Sequence, residues 1–244
     1  MEEFDVIVVG SGSGMLVASV AVESGFKVAV VEGGRMGGTC INVGCVPSKM
    51  LIHPADVIQT LKEAEKIGIK TTIDTVDFGS IMARMHALVN HDTSQQAAAV
   101  EATPNLKWFK EHGEFTSDYT MQIGNQTIKG KVIFIASGAR TAIPPIKGIE
   151  SANYLTSDTV LQLQTQPKSI IIVGGGYIGM EYGHFFSALG TKTTVIQRAD
   201  RLLPEEEPEV SELLLREVSK RMDVYLGYEA LEVKQEGEQK TLLT

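Results

Sequence analysis

Apolar and polar positions along the chain fall into one arrangement that occurs twice. An apolar run, Phe4–Val9, leads into the glycine-rich Gly10–Gly14, then a helix-like stretch closed by Gly25, then a second apolar run, Val28–Val31. The same order returns from Lys168: Ile170–Val173, Gly174–Gly179, a helix-like stretch closed by Gly190, and Thr193–Gln197. Continuous Val/Ile runs fit parallel strands buried on both faces, and a glycine turn between such a strand and a helix is the layout of a βαβ dinucleotide fold. Two of these units predict an α/β protein with two Rossmann-like dinucleotide-binding domains, residues 1–148 and 149–244.

Between the two units, the spacing of apolar positions predicts helices from Pro47 to about Ile67, with Pro54 bending it, and from Phe78 to about Ala102. Alternation over Leu106–Ser117, Tyr119–Asn125 and Thr127–Ser137 predicts a small antiparallel meander with a turn at Gly124-Asn125. Gly138–Gly148, with Pro144 and Pro145, reads as the connection between domains. A polar helix near Glu207–Arg221 and two strands around Gly237 follow. No closing element precedes Thr244, so the second domain is expected to be incomplete.

Composition narrows the function classes. Of 244 residues, 43% are apolar and 21% charged, a globular profile. The net charge of −8, without a basic stripe, argues against nucleic acid as a partner, because phosphate binding draws on Lys and Arg. The run Val6–Val9 is too short to span a bilayer and the opening MEEFD is acidic, so no membrane span or signal peptide is expected. The expected compartment is the cytosol, where a disulfide is more often catalytic or redox-sensing than structural.

Glycine serves these turns by adopting positive φ, by letting backbone N–H groups approach a pyrophosphate, and by allowing helix-on-strand packing. Gly174, Gly176 and Gly179 fit GxGxxG directly. In the first turn Gly10 and Gly12 fit, but Met15 stands where the third glycine is expected. The interval to Gly25 is one residue shorter than that from Gly174 to Gly190, which brings Gly14 into the third role. About twenty residues on, an acid is expected for the ribose hydroxyls of a cofactor without a 2′-phosphate. Glu32 fits that place, whereas the second unit has Gln197, then Arg198 and, shortly after, Arg201. Arg pairs with a 2′-phosphate where a carboxylate repels it, so NADP is favoured over NAD at the second site.

Both cysteines lie in GGTCINVGCVPSK, Gly37–Lys49. No second cysteine pair or His-x-x-x-His completes a zinc set, and a structural bridge closing so short a loop removes little unfolded-state entropy. Redox work fits better. The spacing does not stack the side chains on one helical face, so Asn42 and Gly44 are expected to shape an irregular turn that brings the sulfurs together. Pro47 suits the first turn of a helix, which places Cys45 near a positive dipole end that favours its thiolate.

This motif, with both glycine turns, resembles the FAD-dependent pyridine nucleotide–disulfide oxidoreductases, the group that contains dihydrolipoamide dehydrogenase, mercuric reductase and glutathione reductase. "IASGAR" (Ile135–Arg140) resembles the segment that closes their FAD lobe, and "GGGYIGMEYG" their nicotinamide-nucleotide turn. The resemblance implies that Gly10, Gly12, Gly14, Glu32, Gly38, Thr39, Ser137 and Gly138 hold FAD. It implies that Gly174, Gly176, Tyr177, Gly179 and Arg198 hold NADP or NAD, with Tyr177 covering the nicotinamide pocket. It gives Cys45 as the thiolate facing the flavin, Cys40 as the thiol that attacks substrate, and Lys49 near flavin N5, paired with Glu181. The implied reaction passes hydride from nicotinamide to flavin and opens a Cys40–Cys45 disulfide, and the dithiol then reduces an acceptor.

The chain also departs from that family. Members are longer, with a Gly-Asp segment returning to the FAD lobe and a dimerisation domain that makes them homodimers and carries a His-Pro signature. His53, His86, His91, His112 and His184 all lie in other contexts, and His184 reads as structural. The implied partner is a small-molecule disulfide or dithiol, or a metal ion. Three functions stay open: a dihydrolipoamide dehydrogenase-like enzyme, a mercuric or other NADPH-dependent reductase, and a nucleotide-binding or redox-sensing module without turnover.

Overall fold

In the computed structural model, which describes residues 1–237 and 239–244, the first apolar run becomes strand β1 (Glu2–Val9), followed by helix α1 (Gly14–Glu23) and strand β2 (Val28–Val31). Gly25 ends α1 at φ +84°, a conformation that costs a glycine nothing. β1 and β2 pair in parallel from Val6↔Val28 to Val9↔Val31. Val6, Val8, Val28 and Val30 pack against Ala18 and Ala21 of α1. Phe4, Ile7, Ala29 and Val31 face the other way, onto Phe109, Met121, Ile123 and Ile128. Both faces of this strand pair are thus covered, as unbroken apolar runs require.

The remaining strands of this sheet are β3 (Leu106–Phe109), β4 (Gly113–Ser117), β5 (Thr120–Ile123) and β6 (Gln126–Ile135), in the order β3-β2-β1-β6-β5-β4. β6 does two things. Along its length it pairs in parallel with β1, from Glu2↔Ile128 to Val9↔Ile135, and its first residues pair antiparallel with β5 around the Gly124-Asn125 turn. One expectation is corrected: Leu106–Phe109 is not part of the antiparallel meander but pairs in parallel with β2, from Val28↔Leu106 to Val31↔Phe109. The cause is burial. Phe109, only 4% exposed, meets Phe4 edge-to-face at 5.8 Å in the core, and the chain breaks at Lys110–His112 before β4 begins.

By packing, Met1–Pro47 and His86–Arg140 form one unit, and Ser48–Met85 and Thr141–Thr244 form another. α2 (Gly38–Asn42) belongs to the first, while α3 (Cys45–Glu63), with Pro54 inside it, and α4 (Phe78–Ala102) run across the boundary. In the second unit, β7 (Ser169–Val173), α5 (Tyr177–Ala188) and β8 (Lys192–Gln197) form the repeated βαβ motif. α6 (Pro208–Val218) leads to β9 (Asp223–Leu226), giving a parallel sheet β7-β8-β9, and β10 (Glu232–Glu236) and β11 (Gln239–Leu243) form a separate hairpin. Its core is Met180, Val195, Leu202, Val218 and Met222. β7 departs from two-sided burial: Ile172 packs on that core, but Ile171 and Val173 remain 42% and 47% exposed. Among the described residues no helix is long and apolar enough to cross a membrane.

Candidate active site

Both glycine loops run between a strand and a helix, with different close contacts. At Gly10 (φ +101°) an added Cβ would stand 2.2 Å from the Ala136 carbonyl oxygen, so the loop lies directly on the Ala136–Ser137 backbone beyond β6. A Cβ on Gly14 would come within 2.6 Å of Val8 Cγ1, and one on Gly179 within 3.3 Å of Ile172 Cγ2. Val8 and Ile172 each precede the first glycine of their loop by two residues, but Gly14 opens α1 whereas Gly179 is the third residue of α5, and a Cβ on Gly179 would first meet the Gly174 carbonyl oxygen, at 2.2 Å. At Gly138, Gly174 and Gly176 an added Cβ would meet nothing within 4 Å, so bare backbone faces open space there.

Glu32 and Gln197 correspond. Glu32 Oε2 accepts from the Ser11 N–H at 3.0 Å and the Ser11 hydroxyl at 2.9 Å, and Gln197 Oε1 accepts from the Gly175 N–H at 3.1 Å. Each side chain at the end of the second strand thus bonds the second residue of its glycine loop. The first loop takes a full negative charge there and the second a neutral amide. Arg198, next to Gln197, is exposed, whereas the Arg201 guanidinium donates to the Pro204 carbonyl at 2.6 Å.

The cysteine segment joins the first loop through its own backbone and the Ser11 hydroxyl. A Cβ on Gly38 (φ +61°) would stand 2.5 Å from Gly12 Cα, and the Gly37 N–H donates to the Ser11 hydroxyl at 3.1 Å. Thr39 and Cys40 follow in α2, which ends at Asn42, and Cys45 opens α3. Asn42 shapes the turn as expected: its Nδ2 donates to the Met36 and Gly38 carbonyls, both at 3.0 Å. Gly44 passes so close to α2 that a Cβ there would lie 2.9 Å from the Thr39 carbonyl oxygen. The result brings the two cysteines, both thiols, side by side on the surface.

Cys40 holds its proton above the usual thiol range. The first cause is its hydrogen bond to Cys45, followed by burial, while the Cys45 and Val46 backbone N–H groups pull the other way. Those two N–H groups belong to the first turn of α3, which leaves them without helical partners. The helix end therefore touches Cys40 as well as carrying Cys45, a detail the sequence did not disclose.

Four residues past Cys45 on α3, Lys49 Nζ pairs with Glu181 Oε1 of α5 at 2.5 Å. The same two helices meet again where His184 Nε2 pairs with Asp56 Oδ1 at 2.8 Å and where Lys62 donates to the Ala188 carbonyl at 3.0 Å. His184 is thus part of a helix seam, as its structural reading implied. Tyr177 opens α5 and is 69% exposed. Three contributors went unread in the sequence. Ser11 joins Glu32 to Gly37, and Thr93 of α4 donates to Asn42 Oδ1 at 3.0 Å. His112 lies with its ring 3.0 Å from where a Gly33 Cβ would be, just past Glu32. Only Ser11 carried a local signal, as the middle residue of Gly10-Ser11-Gly12. Among the described residues no group of His, Cys, Asp and Glu is arranged to hold a metal ion.

Comparison with known proteins agrees with this geometry. The pattern described as pyridine nucleotide-disulphide oxidoreductase matches residues 4–244. A mercuric reductase of Lysinibacillus sphaericus is 35% identical over 97% of this chain and 44% of its own length. A dihydrolipoyl dehydrogenase of Bacillus subtilis is 35% identical over 86% of this chain and 47% of its own, and a mycothione reductase of Mycobacterium tuberculosis 30% identical over 97% and 53%. Among solved structures, the Cu(II) complex of the HOCl-induced flavoprotein disulfide reductase RclA from Escherichia coli superposes with a TM-score of 0.88 at 27% identity, over 100% of this chain and 54% of that one. The chain spans about half the length of these relatives. With a doubled βαβ motif and a paired cysteine turn matched from end to end, the chain belongs to the pyridine nucleotide-disulphide oxidoreductase family.

Proposed function

We propose that the chain binds FAD in residues 1–148 and a nicotinamide nucleotide in residues 149–244, and that Cys40 and Cys45 form the disulfide through which it passes electrons to a small acceptor. The observation that carries this reading is the hydrogen bond between the two cysteines, in a turn pressed against the first glycine loop at Gly12–Gly38. The open space beside Gly138 leaves room for a pyrophosphate next to the loop of Gly10 and Gly12, and α1 adds a helix N-terminus. Glu32 accepts from ribose hydroxyls, Gly14 seats the helix, and Gly38, Thr39 and Ser137 complete the lining. FAD, when bound, supplies a two-electron carrier able to exchange with both a nicotinamide and a disulfide.

In the second site Gly174, Gly176 and Gly179 play the corresponding parts, and exposed Tyr177 covers the nicotinamide. Gln197 brings no negative charge, and Arg198 is free to turn toward a 2′-phosphate, which favours NADPH. Cys45 is the sulfur that faces the flavin, and Cys40 is the one that meets the substrate. Lys49, held by Glu181, supplies a fixed positive charge near the flavin. The substrate is a small disulfide or dithiol, or a metal ion, the protein works in the cytosol, and the holoenzyme is a homodimer.

Turnover measured with NADPH and with NADH against lipoamide, glutathione disulfide and Hg(II) tests this reading. NADPH-driven reduction of one acceptor, lost in Cys40→Ser, is expected. Nucleotide binding without turnover of any acceptor would replace the enzyme by a redox-sensing module, and equal use of NADH would remove the role given to Arg198.

A further inference from the structure

One face of α4 grips the cysteine segment. Asn90, Thr93 and Gln96 are spaced by three residues, so they line one side of the helix. Asn90 Oδ1 accepts from the Arg35 guanidinium at 2.8 Å, and Gln96 Oε1 lies 3.2 Å from where a Gly37 Cβ would be. Between them the Thr93 hydroxyl donates to Asn42 Oδ1 at 3.0 Å. Thr93 is 8% exposed, so water cannot readily replace it. With its oxygen occupied, the Asn42 carboxamide has one orientation that leaves both Nδ2 hydrogens for the Met36 and Gly38 carbonyls. Those carbonyls flank the start of α2, and Cys40 lies within it.

We infer that Thr93 is a positioning residue for the cysteine pair: its hydroxyl locks the Asn42 carboxamide, and the locked carboxamide holds the turn in the shape that keeps the two sulfurs together. This rests on the redox reading of Cys40 and Cys45. Two thiols held in contact form a disulfide more readily than two that drift apart, because ordering is already in place before the bond forms. Loss of the lock therefore shifts the equilibrium toward the dithiol.

The test is equilibration of the full chain with glutathione. One glutathione disulfide takes two electrons and two protons from the Cys40 and Cys45 thiols, giving a Cys40–Cys45 bond and two molecules of glutathione. The oxidised fraction is read by alkylation and mass spectrometry. Thr93→Val is expected to lower the equilibrium constant for disulfide formation about tenfold, the size of one lost buried hydrogen bond, or about 30 mV. Thr93→Ser, which keeps the hydroxyl, is expected to retain the parent value. Thr93→Ala replaces the valine variant if that one does not fold. An unchanged constant without the hydroxyl, or a serine variant that behaves like valine, overturns the positioning role while leaving the redox reading intact. A parent protein that forms no Cys40–Cys45 bond at any glutathione ratio overturns both.

Discussion

Replacing Gly14 by alanine adds one methyl group where α1 packs on β1. The new Cβ would lie 2.6 Å from Val8 Cγ1 and 3.0 Å from Ala136 Cβ, whereas carbon atoms settle at about 3.5–4.0 Å. Something must move by roughly an ångström to restore that spacing. Val8 is 0% exposed within the strand pair, and its branched side chain is stiff at χ1. Ala136 is tied by its N–H to the Val9 carbonyl at 2.8 Å. Neither can yield easily, and overpacking of this kind costs about 1–3 kcal/mol. Alanine gains up to about 1 kcal/mol over glycine inside a helix, less at its first position. The net expectation is a loss of about 1–2 kcal/mol.

Gly12→Ala is the control, since its Cβ would meet only Gly38 Cα at an ordinary 3.6 Å. Stability should then stay within about 0.5 kcal/mol. Urea unfolding followed by circular dichroism, extrapolated linearly to water, measures the stability of both variants. A Gly14→Ala variant as stable as the parent would refute the assignment of the third glycine role to Gly14.

Cys45→Ala removes the main cause that raises the Cys40 pKa, so the midpoint of Cys40 alkylation against pH should move down. In the parent, folding holds the Cys40 proton to higher pH than the unfolded chain does. That contribution to stability is complete below the unfolded thiol's pKa and is lost as pH rises through the folded one, a decline that Cys45→Ala should flatten in thermal melts. Arg198→Glu should shift the nucleotide preference away from NADPH by about fivefold or more: a carboxylate about 4 Å from a 2′-phosphate costs between about 1 and 4 kcal/mol as the effective dielectric falls from about 80 to 20. Equal NADPH affinity in the two proteins would show that Arg198 does not reach the phosphate. Glu181→Gln should change stability by less than about 1 kcal/mol in urea unfolding, because its partner Lys49 is 59% exposed, yet slow NADPH-driven reduction of bound FAD.

The glycine turns were legible because their requirement is local: Gly10 and Gly174 have φ of +101° and +110°, which only glycine adopts readily. Glu32 and Gln197 were legible for a related reason, since strand length fixes their distance from the loop they cap. The cysteine turn was readable as an irregular one, and Asn42 and Gly44 as its shapers. The direction in which Leu106–Phe109 pairs was not, because alternation specifies a strand and leaves its neighbour open. That choice was made by Phe109 joining Phe4 in the core. Thr93 was invisible for the same physical reason, as it meets Asn42 across 51 residues and nothing in its own helix marks the contact. The bareness of Ile171 and Val173 was equally hidden, since an apolar run does not say which of its faces a neighbour will cover.

The central claim is that electrons cross between a flavin and the sulfurs of Cys40 and Cys45. Stepwise anaerobic reduction of the FAD-loaded protein, followed by absorbance, tests it most directly. A long-wavelength band that grows after two electrons per flavin, and is lost in Cys45→Ser, is the predicted result. Flavin that bleaches in one step with no such band, and identically in the parent and in Cys45→Ser, would contradict it.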